Sequence, residues 1–451
     1  MLEISPFVDE GLGNSSYLVE LGGGRALVVD PTRDIGPYVA AAERRRLRIT
    51  HSLETHLHAD FVSGSREVAR LGGEVLAPAA GDIAFPHRGL EDGEEIDVDG
   101  LILRAIGTPG HTPEHLSYLV LDGARPLALF SGGALLVGSV ARTDLISPEQ
   151  TGPLARALYR SLRDRILSLP DDLSVYPTHG AGSFCSASVG GERTTTIGQE
   201  RAANPLLRAP NEEAFVRQLL AGFGSYPGYF LRLREVNRHG PRVIGPELPV
   251  LARLSPGEFQ RHLADGAELV DARPIEAFAA GHIPGALSIA LRDAFASWLG
   301  WLIAMEQPLL FVLDGVQDRD ELVRQCLKIG FERLVGELAG GMDAWRAAGL
   351  PEARIIASRD PAALPGQVVD VRQRSEYVSG HVPDAVAIEL GSLAANPERH
   401  GRGSATVMCG HGERAMTGAS LLQRAGASPA VFLGGPRDWS RATGGRLASE
   451  Q

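Results

Sequence analysis

The stretch Asp370-Val-Arg-Gln-Arg-Ser-Glu-Tyr-Val-Ser-Gly-His-Val-Pro-Asp-Ala-Val-Ala-Ile388 has a twin upstream, Asp271-Ala-Arg-Pro-Ile-Glu-Ala-Phe-Ala-Ala-Gly-His-Ile-Pro-Gly-Ala-Leu-Ser-Ile289. Asp, Arg, Gly-His, Pro, Ala and Ile recur in register. The ends repeat too, as Gly340-Gly341 before Trp345 and as Gly434-Gly435 before Trp439. Self-similarity over about 100 residues, an ordinary single-domain size, marks a duplicated domain.

Working outward, the Pro-, Gly- and Ala-rich stretches near Pro246–Pro249 and Leu350–Pro361 read as linkers. They predict three domains, at residues 1–245, 246–355 and 356–451, which suits a chain of 451 residues. With 44% hydrophobic and 22% charged residues, the composition is that of a soluble globular protein. A net charge of −11 without a long basic run argues against nucleic-acid and acidic-membrane partners. Three cysteines cannot build a disulfide framework, which points to a reducing compartment. No basic start followed by an apolar stretch suggests a signal peptide, and no uncharged apolar run nears the ~20 residues of a membrane span. A cytoplasmic protein, assembled as a homo-oligomer, is the expectation.

Inside each copy an apolar strand runs into a short loop and a helix. The last copy reads Ala405-Thr-Val-Met-Cys409-Gly410-His411-Gly412-Glu413-Arg414, and the middle copy Leu309-Leu-Phe-Val-Leu-Asp314-Gly-Val-Gln317-Asp-Arg319. A cysteine between a strand end and a helix N-terminus meets backbone N–H groups and the helix dipole, both of which favour the nucleophilic thiolate. Arg414 is placed to close the loop around an anion. The competing reading of Cys409 is a buried small hydrophobe, and for Cys326, which has no such loop, that reading is preferred. Asp314, a carboxylate, offers no such thiolate, so the middle copy reads as silenced.

The front domain alternates strands and helices and delivers polar residues at strand ends, a layered α/β pattern. Those loops carry His56-x-His58-x-Asp60, Thr108-Pro-Gly-His111-Thr-Pro and Thr178-His179-Gly. Histidines at i and i+2 after a strand can reach one ion, and imidazole suits zinc or iron. Cys185 follows in Gly180-Ala-Gly-Ser-Phe-Cys, either facing that pocket or holding a turn. Ser225-Tyr-Pro-Gly-Tyr-Phe230 reads as packing.

The Cys409–Arg414 loop, with the D-x-R and G-H-[IV]-P elements, resembles the rhodanese family, in which the cysteine carries a persulfide. Four residues enclosed between Cys409 and Arg414 look like the rhodanese loop rather than the longer phosphatase one. Residues 1–240, with T-H-L-H-A-D, G-T-P-G-H-T and T-H-G-A-G-S-F-C, resemble the metallo-β-lactamase superfamily, and more closely its persulfide dioxygenases. The resemblance implies an αββα sandwich followed by two α/β rhodanese domains. It further implies one iron (Fe2+) that oxidises a small-molecule persulfide to sulfite, and Cys409 passing sulfur to sulfite to give thiosulfate. Catalysis would fall to Cys409 and Arg414, and substrate contact to Gly410, His411, Gly412, Glu413 and Cys185. Metal binding would fall to His56, His58, His111, Asp60 and His179, with His58 and His111 matching the family's iron ligands. Phe61 stands where relatives have a second-metal histidine, and Gly133 where they have a metal-binding aspartate, with Asp60 the nearest replacement. Two other classes stay open: a zinc-dependent thioester hydrolase, and a sulfurtransferase whose front domain is inert.

Overall fold

A strand covered on both faces is buried at successive positions, and Asn14–Glu20 is such a strand. Tyr17 and Val19 point inward, joining Val29, Leu53 and Leu76 of one sheet and Leu103, Tyr118 and Phe130 of another. Leu18 points outward, packing with Val28 against Tyr38, Ala41 and Ala42 of the helix Gly36–Arg44. On the far side, Leu119, Leu121 and Leu129 meet Leu158 and Phe215, from the helices Pro148–Arg160 and Glu212–Ala221. The layers are therefore helix, sheet, sheet, helix, as expected for an αββα sandwich.

This computed structural model describes residues 2–185, 191–400 and 403–450. They form two compact units, one of residues 1–249 with Arg324–Gly330, the other of 250–323 and 331–451. Each sheet of the first unit has six strands in sequential order. The strands Arg25–Val29 and Arg48–Leu53 run parallel, so the loops after them leave one edge together. In the second sheet Leu101–Gly107, Arg125–Gly132 and Ser174–Pro177 share a direction, which gathers the loops bearing His111, Gly133 and His179.

In the second unit each copy has its own five-stranded sheet with the same order. All of the pairings are parallel. The repeated motif is a scaffold. Arg273 binds Asp271 through Nε and Nη2 and reaches the Gly281 carbonyl at 2.8 Å, and Arg372 does the same with Asp370 and Gly380. His282 stacks on Phe278 and His381 on Tyr377, with ring centroids 3.8 Å apart in both copies. The central strands Leu309–Val312 and Ala405–Met408 deliver Asp314 and Cys409 at their C-terminal ends, where parallel sheets place ligand sites.

Candidate active sites

At the loop edge of the sandwich, His56, His111 and His179 each bring a ring nitrogen within 4.8 Å of the others, all buried. His56 Nε2 and His179 Nε2 are 3.4 Å apart. His111 Nδ1 donates to the Arg142 carbonyl at 2.6 Å, and His56 Nδ1 meets Thr55 Oγ1 at 2.8 Å. His179 Nδ1 faces Asn14 Oδ1 at 3.0 Å and Asp60 Oδ2 at 3.2 Å. Burial, reinforced by the neighbouring His179, holds the His111 pKa down to about 3, and burial with His58 beside it keeps His56 well below its ordinary range. Both are thus neutral, the form that ligates a metal.

His58 was expected beside His111, but the structure puts His56 there. His58 Nε2 lies 3.2 Å from Asp30 Oδ1 and 3.1 Å from Glu54 Oε2, all three groups buried. Burial alone would depress its pKa, but the two carboxylates outweigh that and raise it to about 10. Phe61 stacks on the His58 ring at 4.2 Å, so the residue that replaces the second-metal histidine packs this ion pair. His58, Asp60 and His179 also approach within 4.8 Å. Asp60 does not reach His56 and His111 as a replacement carboxylate; it sits behind His179, accepts from Asn14 Nδ2 at 2.8 Å, and is held below the usual carboxylate range chiefly by His179, against the effect of burial.

Gly133 is crowded. A Cβ there would meet His111 Cδ2 at 2.6 Å and Cγ at 2.9 Å, and its N–H donates to His115 Nε2 at 2.9 Å. His115, Asn14 and Asp30 were missed in the sequence. The only hint of His115 was its place four residues after His111; Asp30 closes an apolar strand and carries no motif. Cys185 is buried near Asp60, and burial followed by the Asp60 charge pushes its pKa well up. Arg142 pairs with Asp144 and lies over the Tyr226 ring at 4.4 Å, which ties the 223–230 segment down as packing.

In the last copy, Cys409 Sγ accepts the Gly412 N–H at 3.1 Å. Gly412 has φ +110°, and a Cβ on it would strike Ile275 Cδ1 at 3.0 Å, so glycine is required. Gly410 and Glu413 are half-buried and His411 is exposed, which leaves the loop's outer side open. Arg414 does not stand free over the loop: its guanidinium grips Glu376 at 2.5 and 2.8 Å and lies 6.0 Å from the Trp298 ring of the middle copy. The helix Glu413–Arg424 is bound to the middle copy further along, through Thr417 Oγ1 to the Ser288 carbonyl at 2.6 Å and His282 Nε2 to Gln423 at 2.7 Å.

In the middle copy, Gln317 fills the loop. Its Oε1 accepts from the Asp314 N–H at 3.0 Å and its Nε2 donates to the Ala272 carbonyl at 2.6 Å. Arg319 is turned onto Glu337 at 2.9 Å. The Asp314 N–H and the Arg319 guanidinium, two of the groups that would face an anion held as in the other copy, are thus engaged. Asp314→Cys in a Cys409→Ser background should therefore show no thiosulfate:cyanide transfer, and measurable turnover would mean that the Gln317 plug does not hold the loop closed.

With this geometry in view, the chain matches the rhodanese-like domain family at residues 255–348 and 356–442, and the metallo-beta-lactamase superfamily at 9–179. It is 31% identical to the human mitochondrial persulfide dioxygenase over 192 residues, 42% of this chain and 68% of that protein. It is 32% identical to a hydroxyacylglutathione hydrolase of Methylobacterium nodulans over 230 residues, 45% of this chain and 86% of that one. A solved metallo-beta-lactamase from Staphylococcus aureus superposes with TM-score 0.66 at 28% identity, covering 75% of this chain and 98% of its own. No described helix is long and apolar enough to cross a membrane. The chain belongs to the metallo-beta-lactamase superfamily, as a relative of the persulfide dioxygenases that carries two rhodanese-like domains.

Proposed function

We propose that this protein oxidises a low-molecular-weight persulfide to sulfite and then builds thiosulfate on Cys409. The observation that carries the reading is the presence in one chain of a buried histidine cluster and a cysteine loop of the sulfur-transfer type. The first reaction balances as RSSH + O2 + H2O giving RSH and sulfurous acid. A single iron at the cluster, when bound, supplies open positions for O2 and the persulfide. Cys185 is the proposed persulfide contact beside it, and the Asp30–Glu54–His58 group buttresses the loop that carries His56.

The second reaction is covalent catalysis. The Cys409 thiolate attacks the outer sulfur of a persulfide, releasing RSH and leaving a Cys409 persulfide anion. Sulfite then takes that sulfur, the S–S bond breaks toward Cys409, and thiosulfate leaves with the thiolate restored. Gly412 N–H holds charge at the nucleophile, and joining both sites in one chain raises the concentration of shared sulfite. Persulfides, sulfite and thiosulfate are the proposed small-molecule partners, the cytoplasm the proposed site of action, and a homo-oligomer the proposed assembly.

A second reading has its own support. Three imidazoles form the ligand set of hydrolytic zinc sites, and the hydroxyacylglutathione hydrolase likeness spans more residues. Full-length protein prepared anaerobically should contain iron and consume O2 on glutathione persulfide, with thiosulfate accumulating only while Cys409 is present. Zinc with thioester hydrolysis and no O2 uptake would replace the first reading by the second. Metal-free protein with full sulfur transfer would reduce the function to the last domain.

A further inference from the structure

We infer that the resident metal is held by His56, His111 and His179 through their Nε2 atoms, a three-imidazole set in which His179 takes the place of the carboxylate lost at Gly133. The inference deepens the metal-dependent reading above and rests on it.

The hydrogen bonds fix the tautomers. Thr55 Oγ1 donates its proton to Asp30 Oδ2 at 2.8 Å, so toward His56 Nδ1 it can only accept. The Arg142 carbonyl can only accept from His111 Nδ1. Asn14 Nδ2 is committed to Asp60, which turns Oδ1 toward His179 Nδ1, again as acceptor. Each Nδ1 therefore carries the proton and each Nε2 a bare lone pair. Two of those lone pairs face each other across 3.4 Å in a buried pocket, a repulsive arrangement that a cation between them reverses. Imidazole nitrogens about 2.0–2.1 Å from one tetrahedral ion stand roughly 3.3–3.4 Å apart. Oxygen partners behind each ring are the outer support that metal-binding histidines use.

His115 and His58 are committed elsewhere. His115 Nε2 accepts from the Gly133 N–H, so its remaining proton goes to Thr108 Oγ1. His58 Nε2 faces Asp30 and Glu54 rather than His56. An aspartate at Gly133 would need its Cβ 2.6 Å from the His111 ring. Restoring the family's carboxylate should thus expel the metal rather than secure it.

The test uses the full-length apoprotein titrated with Co2+, followed by visible absorption and by bound-metal analysis. His179→Ala should weaken binding about 100-fold, and Asp60→Asn about 10-fold through the lost support of His179. Gly133→Asp should also bind more weakly than the parent. X-ray absorption of the Co2+-loaded parent, which needs no variant to fold, should count three imidazoles. Unchanged affinity in His179→Ala, tighter binding in Gly133→Asp, or a two-imidazole count would overturn the assignment. Three imidazoles around zinc with no O2 uptake would leave this ligand set standing and remove the dioxygenase reading instead.

Discussion

Cys409→Ser should reduce thiosulfate:cyanide sulfur transfer to the uncatalysed rate while leaving the fold intact. A serine oxygen cannot hold sulfane sulfur, and the Gly412 N–H that meets Sγ at 3.1 Å has no other nucleophile to serve. Neither remaining cysteine can substitute. Burial pushes the pKa of Cys326 far up, as it does that of Cys185, so neither offers a thiolate at neutral pH. Cys326→Ser should accordingly keep near-parental turnover in the same assay. Retained activity in Cys409→Ser with a normal melting profile would refute the assignment.

Asp30→Ala should cost about 3–5 kcal/mol, the scale of removing one partner from a buried ion pair. Asp30 is fully buried and accepts from the Thr55 N–H at 2.7 Å and Thr55 Oγ1 at 2.8 Å, as well as from Thr178 Oγ1. Its loss leaves those donors stranded and His58 leaning on Glu54 alone. Urea titration followed by circular dichroism reads the effect as a lower midpoint.

The pH dependence has a definite sign. The folded pKa of His58 is raised to about 10, so its contribution is complete below its unfolded value of about 6.5 and is lost as pH rises through 10. Asp30 is shifted down: burial opposes this, but the His58 charge and the hydrogen bonds prevail. Its contribution is complete above an unfolded value of about 3.9 and lost as pH falls through the lower folded one. Asp30→Ala should flatten both limbs of the stability profile, and an unchanged profile would show that the pair is not what holds this edge together.

The duplicated domain was legible because the D-x-R and Gly-His elements do the same structural work twice, and a scaffold motif repeats with its scaffold. The sandwich was legible from strand ends that carry histidines. What sequence spacing could not supply was ring direction. His56 and His58 sit two apart, and a turn of backbone decides which of them meets His111 and which meets Asp30. The partner of Arg414 was hidden for a similar reason: Glu376 comes from a helix many residues earlier, at a place where the middle copy has Ala277. Arg319, lacking that partner, turns to Glu337 instead.

Duplication ordinarily leaves one copy free to drift. Here the two copies stay bonded to each other although their loops differ. The middle copy has Asp314 where the last has Cys409 and spans its loop with Gln317, yet Ser288 and His282 are bonded to the helix that begins beside Cys409, and Ile275 abuts Gly412. A substitution on that face should be felt in the neighbour's Cys409 loop. Severed from its silent twin, the last domain would show water a surface shaped to fit protein, and the idle copy is retained as the mould against which the working one is cast.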